Sequence, residues 1–123
     1  MEKINTNSAP AAIGPYSQAV VTGSLVFTSG QIAINPATGN IEAADIKGQT
    51  RQVCENLKAV LAAAGSDLSK AVKNTCFLND IKDFADFNAV YGEYFSEKPA
   101  RSCVEVAALP KGALVEVEVI AEK

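Results

Sequence analysis

The sequence predicts an α+β sandwich in which two helices pack on one face of a mixed, mainly antiparallel sheet. Three observations predict this fold. Two β-branched runs are separated by a two-residue turn, two stretches have apolar residues at helical spacing, and two late runs alternate apolar and polar residues. The predicted order is β-β-(β)-α-β-α-β-β, and residues 1–123 are read as a single domain. A chain of this length has no further element for the second sheet face, so we expect another subunit to cover it.

The first half of the chain predicts an arm followed by a hairpin. Residues 1–15 end in APAAIGPY, and we interpret them as an ordered arm or loop because proline lacks a backbone donor. The runs Gln18–Thr22 and Leu25–Ser29 flank the turn dipeptide Gly23-Ser24, a pattern typical of a β-hairpin. A further short strand is predicted at Gln31–Ile34, before the turn-forming sequence NPATGN.

Two helices and a buried strand are predicted next. Asp45 is a candidate N-cap of the first helix, and Gly65 is a natural residue to end it. The segment Ala71–Leu78, AVKNTCFL, predicts a buried strand. A second helix is predicted from a cap at Asp83 to the helix-breaking sequence EKP, with Asn88 beside its aromatic stripe. That stripe consists of Phe84, Phe87, Tyr91 and Phe95.

The stretch Pro99–Ile120, PARSCVEVAALPKGALVEVEVI, contains the candidate chemistry. Alternation places Arg101 and Cys103 on the same side of a first strand. In the second strand the valines share one face, and Glu116 and Glu118 share the other. A guanidinium and a carboxylate on neighbouring strands would bind an organic acid and activate water, provided that the two strands lie side by side.

Composition excludes several classes of function. The net charge of −3 and pI near 4.9, with scattered basic residues, disfavour a nucleic-acid partner. No apolar run reaches the length of a membrane span, and the first residues lack the core of a signal peptide, so we expect a cytoplasmic protein. Three widely spaced cysteines suit free thiols. The absence of histidine removes Ser-His and Cys-His catalysis and the usual zinc sites, and we expect neither a metal nor a cofactor.

Five motifs resemble a known family: AIGPYSQAV (12–20), SGQI (29–32), NPATG (35–39), FNAVY (87–91) and PARSCVEVAALPKGALVEVEVIA (99–121). Together they resemble the Rid (YjgF) family, in particular its RidA group of 2-iminobutanoate/2-iminopropanoate deaminases, over nearly the whole chain. The resemblance implies a chorismate-mutase-like fold and a homotrimer with sites between subunits. It also implies hydrolysis of 2-iminopropanoate and 2-iminobutanoate, formed from 2-aminoacrylate and 2-aminocrotonate, to pyruvate or 2-oxobutanoate plus ammonia. Such an activity removes damaging metabolites.

The resemblance assigns the two catalytic roles. Considered alone, Arg101 is typical of a surface or interface salt bridge, and Glu116 is typical of a solvated strand face. The family pattern implies instead that Arg101 binds the substrate carboxylate through two parallel hydrogen bonds. It implies that Glu116 positions and deprotonates the attacking water, and it leaves Glu118 a structural residue.

The resemblance also implies five further substrate-binding positions besides Arg101. Tyr16, alone a packing aromatic on a loop, would cover the substrate. Ser29 and Gly30, alone an ordinary turn or bulge, would bring the backbone close to the ligand. Asn88, alone a plain polar helix residue, is the weaker candidate. Cys103 has no histidine to activate it, so we expect a site wall and a backbone amide from it, not a nucleophile.

Two alternative functions remain at this point. One is a non-catalytic trimer that binds 2-oxo acids and regulates. The other is a ribonuclease or translation inhibitor, which the acidic balance and the lack of histidine disfavour.

Overall fold

Six strands form one sheet in the spatial order β1-β2-β3-β6-β4-β5 in the computed structural model, which describes residues 1–123. The strands are β1 (Glu2–Ile4), β2 (Ala19–Thr22), β3 (Leu25–Thr28), β4 (Ala71–Leu78), β5 (Ala100–Glu105) and β6 (Val115–Glu122). The helices are α1 (Ile46–Ala63), which precedes β4, and α2 (Phe84–Tyr94), which connects β4 to β5.

The sheet is mixed, as predicted. Strands β4 and β5 run parallel, and every other pair of neighbours is antiparallel. A parallel pair needs a crossover connection, and α2 supplies it. The predicted α+β class with a mixed, mainly antiparallel sheet is therefore confirmed.

The first helix begins and ends where the sequence predicts. The backbone N–H of Gly48 donates to the Asp45 side chain at 3.0 Å, and this bond satisfies one of the free donors at the helix start. Gly65 follows the last turn with φ +81°, a conformation that glycine adopts without steric cost. The apolar stripe of α1 packs on the buried valines of β6. Neither helix combines the length and the apolar content that crossing a bilayer requires.

Two predictions for the first half of the chain are corrected. The arm at residues 1–15 contains a strand, β1, that pairs with β2 at the edge of the sheet. It is only three residues long and begins with exposed charged residues, so no alternation marks it. The predicted strand Gln31–Ile34 is absent. Gln31 and Ile34 form only isolated bridges, to Val117 and Ile41, and the N–H of Ile34 donates to the carbonyl of Ile32 instead of to a neighbouring strand.

The second helix is shorter than predicted at its C-terminal end. It stops at Tyr94, before the sequence EKP, because Phe95 leaves helical geometry and its side chain enters the core. Asp83 precedes the helix as predicted, but its side chain makes no capping hydrogen bond. Three residues of the aromatic stripe, Phe87, Tyr91 and Phe95, belong to the core, whereas Phe84 is exposed.

No helix or strand of the chain covers the sheet face opposite the helices. Phe27 and Val104, both on this face by register, keep 37% and 45% of their surface exposed. Exposed apolar residues clustered on one sheet face are typical of an interaction surface. That a second subunit covers this face stays a prediction.

Candidate active site

Arg101 and Glu116 do not lie on neighbouring strands. Strand β4 separates β5 from β6, with Arg101 opposite Asn74 and Glu116 opposite Phe77. Paired residues share a sheet face, and residues three apart on one strand point to opposite faces. The condition of side-by-side strands therefore fails within one chain, and the two groups occupy opposite faces of the sheet.

Arg101 lies on the helix side in a box of aromatic rings. Its guanidinium carbon is 4.9 Å from the ring centre of Tyr91, 5.4 Å from that of Phe84 and 6.0 Å from that of Phe87. Its Nη1 donates to Oδ1 of Asn88 at 2.6 Å. All four partners lie on α2 at helical spacing, so the aromatic stripe of the sequence also forms the wall around Arg101. We call Arg101 and these partners one half-site, and Glu116 with its surroundings, described below, the other.

The charge of Arg101 has no acidic partner. The one salt bridge of the protein joins Arg51 to Glu93 on the surface at 3.1 Å, and no carboxylate lies within 4.0 Å of Arg101. The guanidinium has five N–H donors, and a planar fork of this kind matches a carboxylate. The adjacent open groove encloses about 440 Å³. It is lined by Asn88, Tyr91, Gly92, Phe95, Lys98, Pro99 and Arg101.

Cys103 lies two residues along β5 on the same side as Arg101. It is half-buried and pairs in register with the buried Cys76. Burial raises the pKa of the Cys103 thiol, and the charge of Arg101 opposes this only in part. The thiol is therefore kept protonated, which suits a wall residue and not a nucleophile.

Glu116 lies on the open side of the sheet in a second cavity, of about 290 Å³. Its carboxylate packs on Gly30, where an added Cβ would lie 2.8 Å from Cδ of Glu116. Burial raises the pKa of Glu116, and the charge of Glu118 raises it further. The cavity is lined by Pro10, Ala11, Ile13, Tyr16, Gln18, Gly30, Gln31, Ile32, Ile34, Pro110, Lys111 and Glu116.

Two more predicted residues lie near Glu116. Tyr16 borders the same cavity with 51% of its surface exposed, as a residue that covers the mouth would. Ser29 does not line the cavity. Its hydroxyl donates to the carbonyl of Ser17 at 2.6 Å and its N–H donates to the carbonyl of Gln18 at 2.9 Å. Ser29 thus fixes the backbone that presents Gly30.

Tyr16, Gly30 and Glu116 are the predicted site residues that line this cavity, and the other nine lining residues, Gln18 and Lys111 among them, were not predicted. Gln18 is buried, and its amide nitrogen donates to the carbonyls of Thr6 and Pro10 at 3.0 and 2.7 Å, which ties the arm to the hairpin. The sequence feature that could have identified Gln18 is a polar side chain at an inward-facing position of a predicted strand. Lys111 borders the cavity with φ +56°, a rare conformation outside glycine, after Pro110. No local pattern predicts that geometry.

The fold and these two half-sites define a class of protein: a chorismate-mutase-like α+β protein with an arginine that lacks an acidic partner on one sheet face and a carboxylate of raised pKa on the other. The family model described as "Endoribonuclease L-PSP" matches residues 6–123. The chain therefore belongs to this family, the YjgF/Rid family, as its sequence motifs predict.

Individual relatives agree along the whole length. A RutC family protein of Pyrococcus horikoshii is 56% identical over 123 residues, which cover 99% of this chain and 98% of the relative. A protein of Escherichia coli K12 named 2-iminobutanoate/2-iminopropanoate deaminase is 51% identical over 122 residues, covering 96% and 94%. The crystal structure of E. coli TdcF with bound serine has a TM-score of 0.95 and 48% identity, covering 100% and 99%. The predicted chorismate-mutase-like fold is confirmed.

Proposed function

We propose that the protein hydrolyses 2-iminopropanoate and 2-iminobutanoate to pyruvate and 2-oxobutanoate, with release of ammonia. The observation that carries this proposal is a half-buried arginine, Arg101, that has no carboxylate partner in its own chain. A cation held in this way suits a small organic anion. Family membership and a relative named as a deaminase of these two compounds support the choice of substrate. The free cysteines fit a reducing cytoplasm.

A complete site in this proposal needs two copies of the chain. Arg101 and Glu116 lie on opposite faces of one sheet, so both reach one substrate only when different subunits supply them. Such a contact joins unlike surfaces, and repeated contacts of this kind close into a ring. We therefore propose a homotrimer with three sites between subunits, which would also cover the open sheet face.

The proposed reaction has two steps. Arg101 holds the substrate carboxylate, and Glu116 of the partner subunit takes a proton from a water molecule that attacks the imine carbon. Glu116 returns this proton to the imine nitrogen, which gives the carbinolamine. Glu116 then takes the hydroxyl proton of the carbinolamine and passes it to the amine, so that the C–N bond breaks, ammonia leaves and the carbonyl forms. Burial makes Glu116 a stronger base than an exposed glutamate, since its pKa is raised. Orienting one water and neutralising one carboxylate provides the acceleration without a cofactor.

A coupled assay tests the reaction. A pyridoxal-dependent dehydratase generates 2-aminoacrylate, and the wild-type protein should speed release of pyruvate. We expect Arg101→Ala to lower kcat/KM by about 10²-fold and Arg101→Lys to restore only part of it, because lysine lacks the planar fork. Arg51→Ala, which removes an exposed arginine from a surface ion pair, is the matched control and should act like wild type. Equal rates for wild type and Arg101→Ala would contradict the role of Arg101.

The same ligand and variants distinguish the two alternative functions from imine hydrolysis. Saturable binding of 2-oxobutanoate without a shorter imine lifetime would favour the regulatory binding protein. RNA cleavage that is lost in both Arg101→Ala and Glu116→Gln would favour the activity in the family description. RNA cleavage that persists in both variants would come from another source.

Light scattering tests the assembly. The expected mass is about three times the chain mass of 12.9 kDa. A monomer mass in solution would contradict the trimer and, with it, a site built from two subunits.

A further inference from the structure

Asn74 places an amide inside the core directly beside Arg101. It is fully buried, and its register partner on β5 is Arg101. Its Nδ2 donates to the hydroxyl of Tyr91 at 2.9 Å, whereas its Oδ1 is the one buried side-chain polar atom in the protein without a hydrogen bond. An unpaired buried acceptor destabilises the folded state, so stability alone would favour an apolar residue here.

Tyr91 connects this amide to the guanidinium. Its ring is the nearest of the three that face Arg101, with 4.9 Å between the guanidinium carbon and the ring centre. Phe87 and Phe95 contact the ring at centre distances of 5.3 and 4.8 Å, and Asn74 holds its hydroxyl end. The tilt of the ring under the cation therefore depends on packing at two neighbours and on one hydrogen bond at its tip.

We infer that Asn74 is a positioning residue for Arg101, acting through the ring of Tyr91. The hydrogen bond fixes the ring against the guanidinium. The ring and Asn88 together then hold the guanidinium in the position from which it can bind a carboxylate. This inference rests on the proposed function and adds to it Asn74, a buried residue that does not line the groove beside Arg101.

The contrasting view is that Asn74 is a polar residue that the core tolerates. In that case its replacement changes folding stability and leaves the affinity for a carboxylate ligand unchanged. The two views differ in KM, and this difference can be measured.

Three variants separate them: Asn74→Val, Tyr91→Phe and the double variant. We expect each to raise KM for the imine by about 3- to 10-fold, the scale of a weakened cation–π contact, and to weaken binding of 2-oxobutanoate by calorimetry to the same extent. We expect kcat to stay within about twofold, because Glu116 and its water are untouched. The double variant should be no worse than either single variant, since all three break the same connection.

The melting temperatures of the three variants should not follow the order of their KM values. Tyr91→Phe leaves both ends of the Asn74 amide unpaired and should have the lowest melting temperature of the three. The double variant replaces both polar partners and should melt at or above wild type. It therefore gives a well-folded protein with weakened binding. Thr50→Val, which removes a buried hydroxyl bonded to Ile46 in α1, is the control that changes stability without changing KM.

The outcomes are separable. If wild type turns over the imine and binds 2-oxobutanoate, but KM is unchanged in all three variants, the role of Asn74 is overturned and the proposed function stands. Additive effects of the two single changes overturn the route through Tyr91. Wild type that neither turns over the imine nor binds 2-oxobutanoate overturns the proposed function, and the role of Asn74 with it.

Discussion

Replacing Gly30 by alanine should displace the Glu116 carboxylate while leaving the backbone unstrained. The new Cβ would lie 2.8 Å from Cδ and 2.9 Å from Oε2 of Glu116, whereas ordinary contacts lie at 3.4–4.0 Å. The carboxylate must therefore move by roughly 0.6–1 Å, because the backbone is fixed and the end of the glutamate is flexible. Gly30 does not adopt a positive φ, so this displacement is the only strain that the substitution introduces.

A shift of this size in a catalytic base has a large effect on rate. A misplacement of about 1 Å costs about 10²-fold, so we expect kcat for imine hydrolysis to fall by that factor in Gly30→Ala. Binding of 2-oxobutanoate should change less than kcat, because the added methyl group displaces Glu116 and leaves Arg101, which holds the carboxylate, in place. The measurement is kcat and KM in the dehydratase-coupled assay, with the melting temperature recorded in parallel.

Gly48→Ala is the matched control. Its added Cβ would be equally crowded, 2.7 Å from Oδ1 of Asp45 and 2.8 Å from Cβ of Ala43, but at the start of α1 and away from both half-sites. It should lose stability and keep the wild-type kcat. A Gly30→Ala protein that folds and retains wild-type kcat would refute the assignment of Glu116 as the base.

Two further predictions concern the charge of Glu116. The like charge of Glu118 raises the pKa of Glu116, so Glu118→Gln should move the acid limb of kcat/KM to lower pH. An acid limb that does not move in Glu118→Gln would contradict the coupling. Burial also raises the pKa of Glu116, so the folded chain holds the ionised carboxylate less favourably than the unfolded chain does, and Glu116→Gln should have a higher melting temperature than wild type near pH 7. This advantage should vanish as the pH falls through that pKa and wild type gains its proton, and an advantage that persists in acid would point to another cause.

Much of the fold could be predicted from local pattern. The Asp45 cap and the Gly65 end of α1 are visible because capping and left-handed backbone depend on residue type at single positions. The alternation in β6 correctly separates its buried valines from Glu116 and Glu118 because side chains alternate strictly along a strand. Strand β1 was missed because three residues at a charged edge show no period.

The candidate site could be predicted only in part. The motifs determine the family, and the predicted residues Tyr16, Gly30 and Glu116 lie together at one cavity. Asn88 and Arg101 also meet, at a 2.6 Å hydrogen bond, but in the other half-site. The functional role of each residue in both sets stays a prediction.

The sequence by itself determined both helices, five of the six strands and the family to which the chain belongs, because period, caps and motifs are local properties. Only the tertiary structure decided that β4 lies between the arginine strand and the glutamate strand, which places Arg101 and Glu116 on opposite faces. Only it joined Asn74 to Tyr91 beneath the guanidinium. Strand order and register depend on pairings between residues far apart in the chain, and no local pattern contains that information.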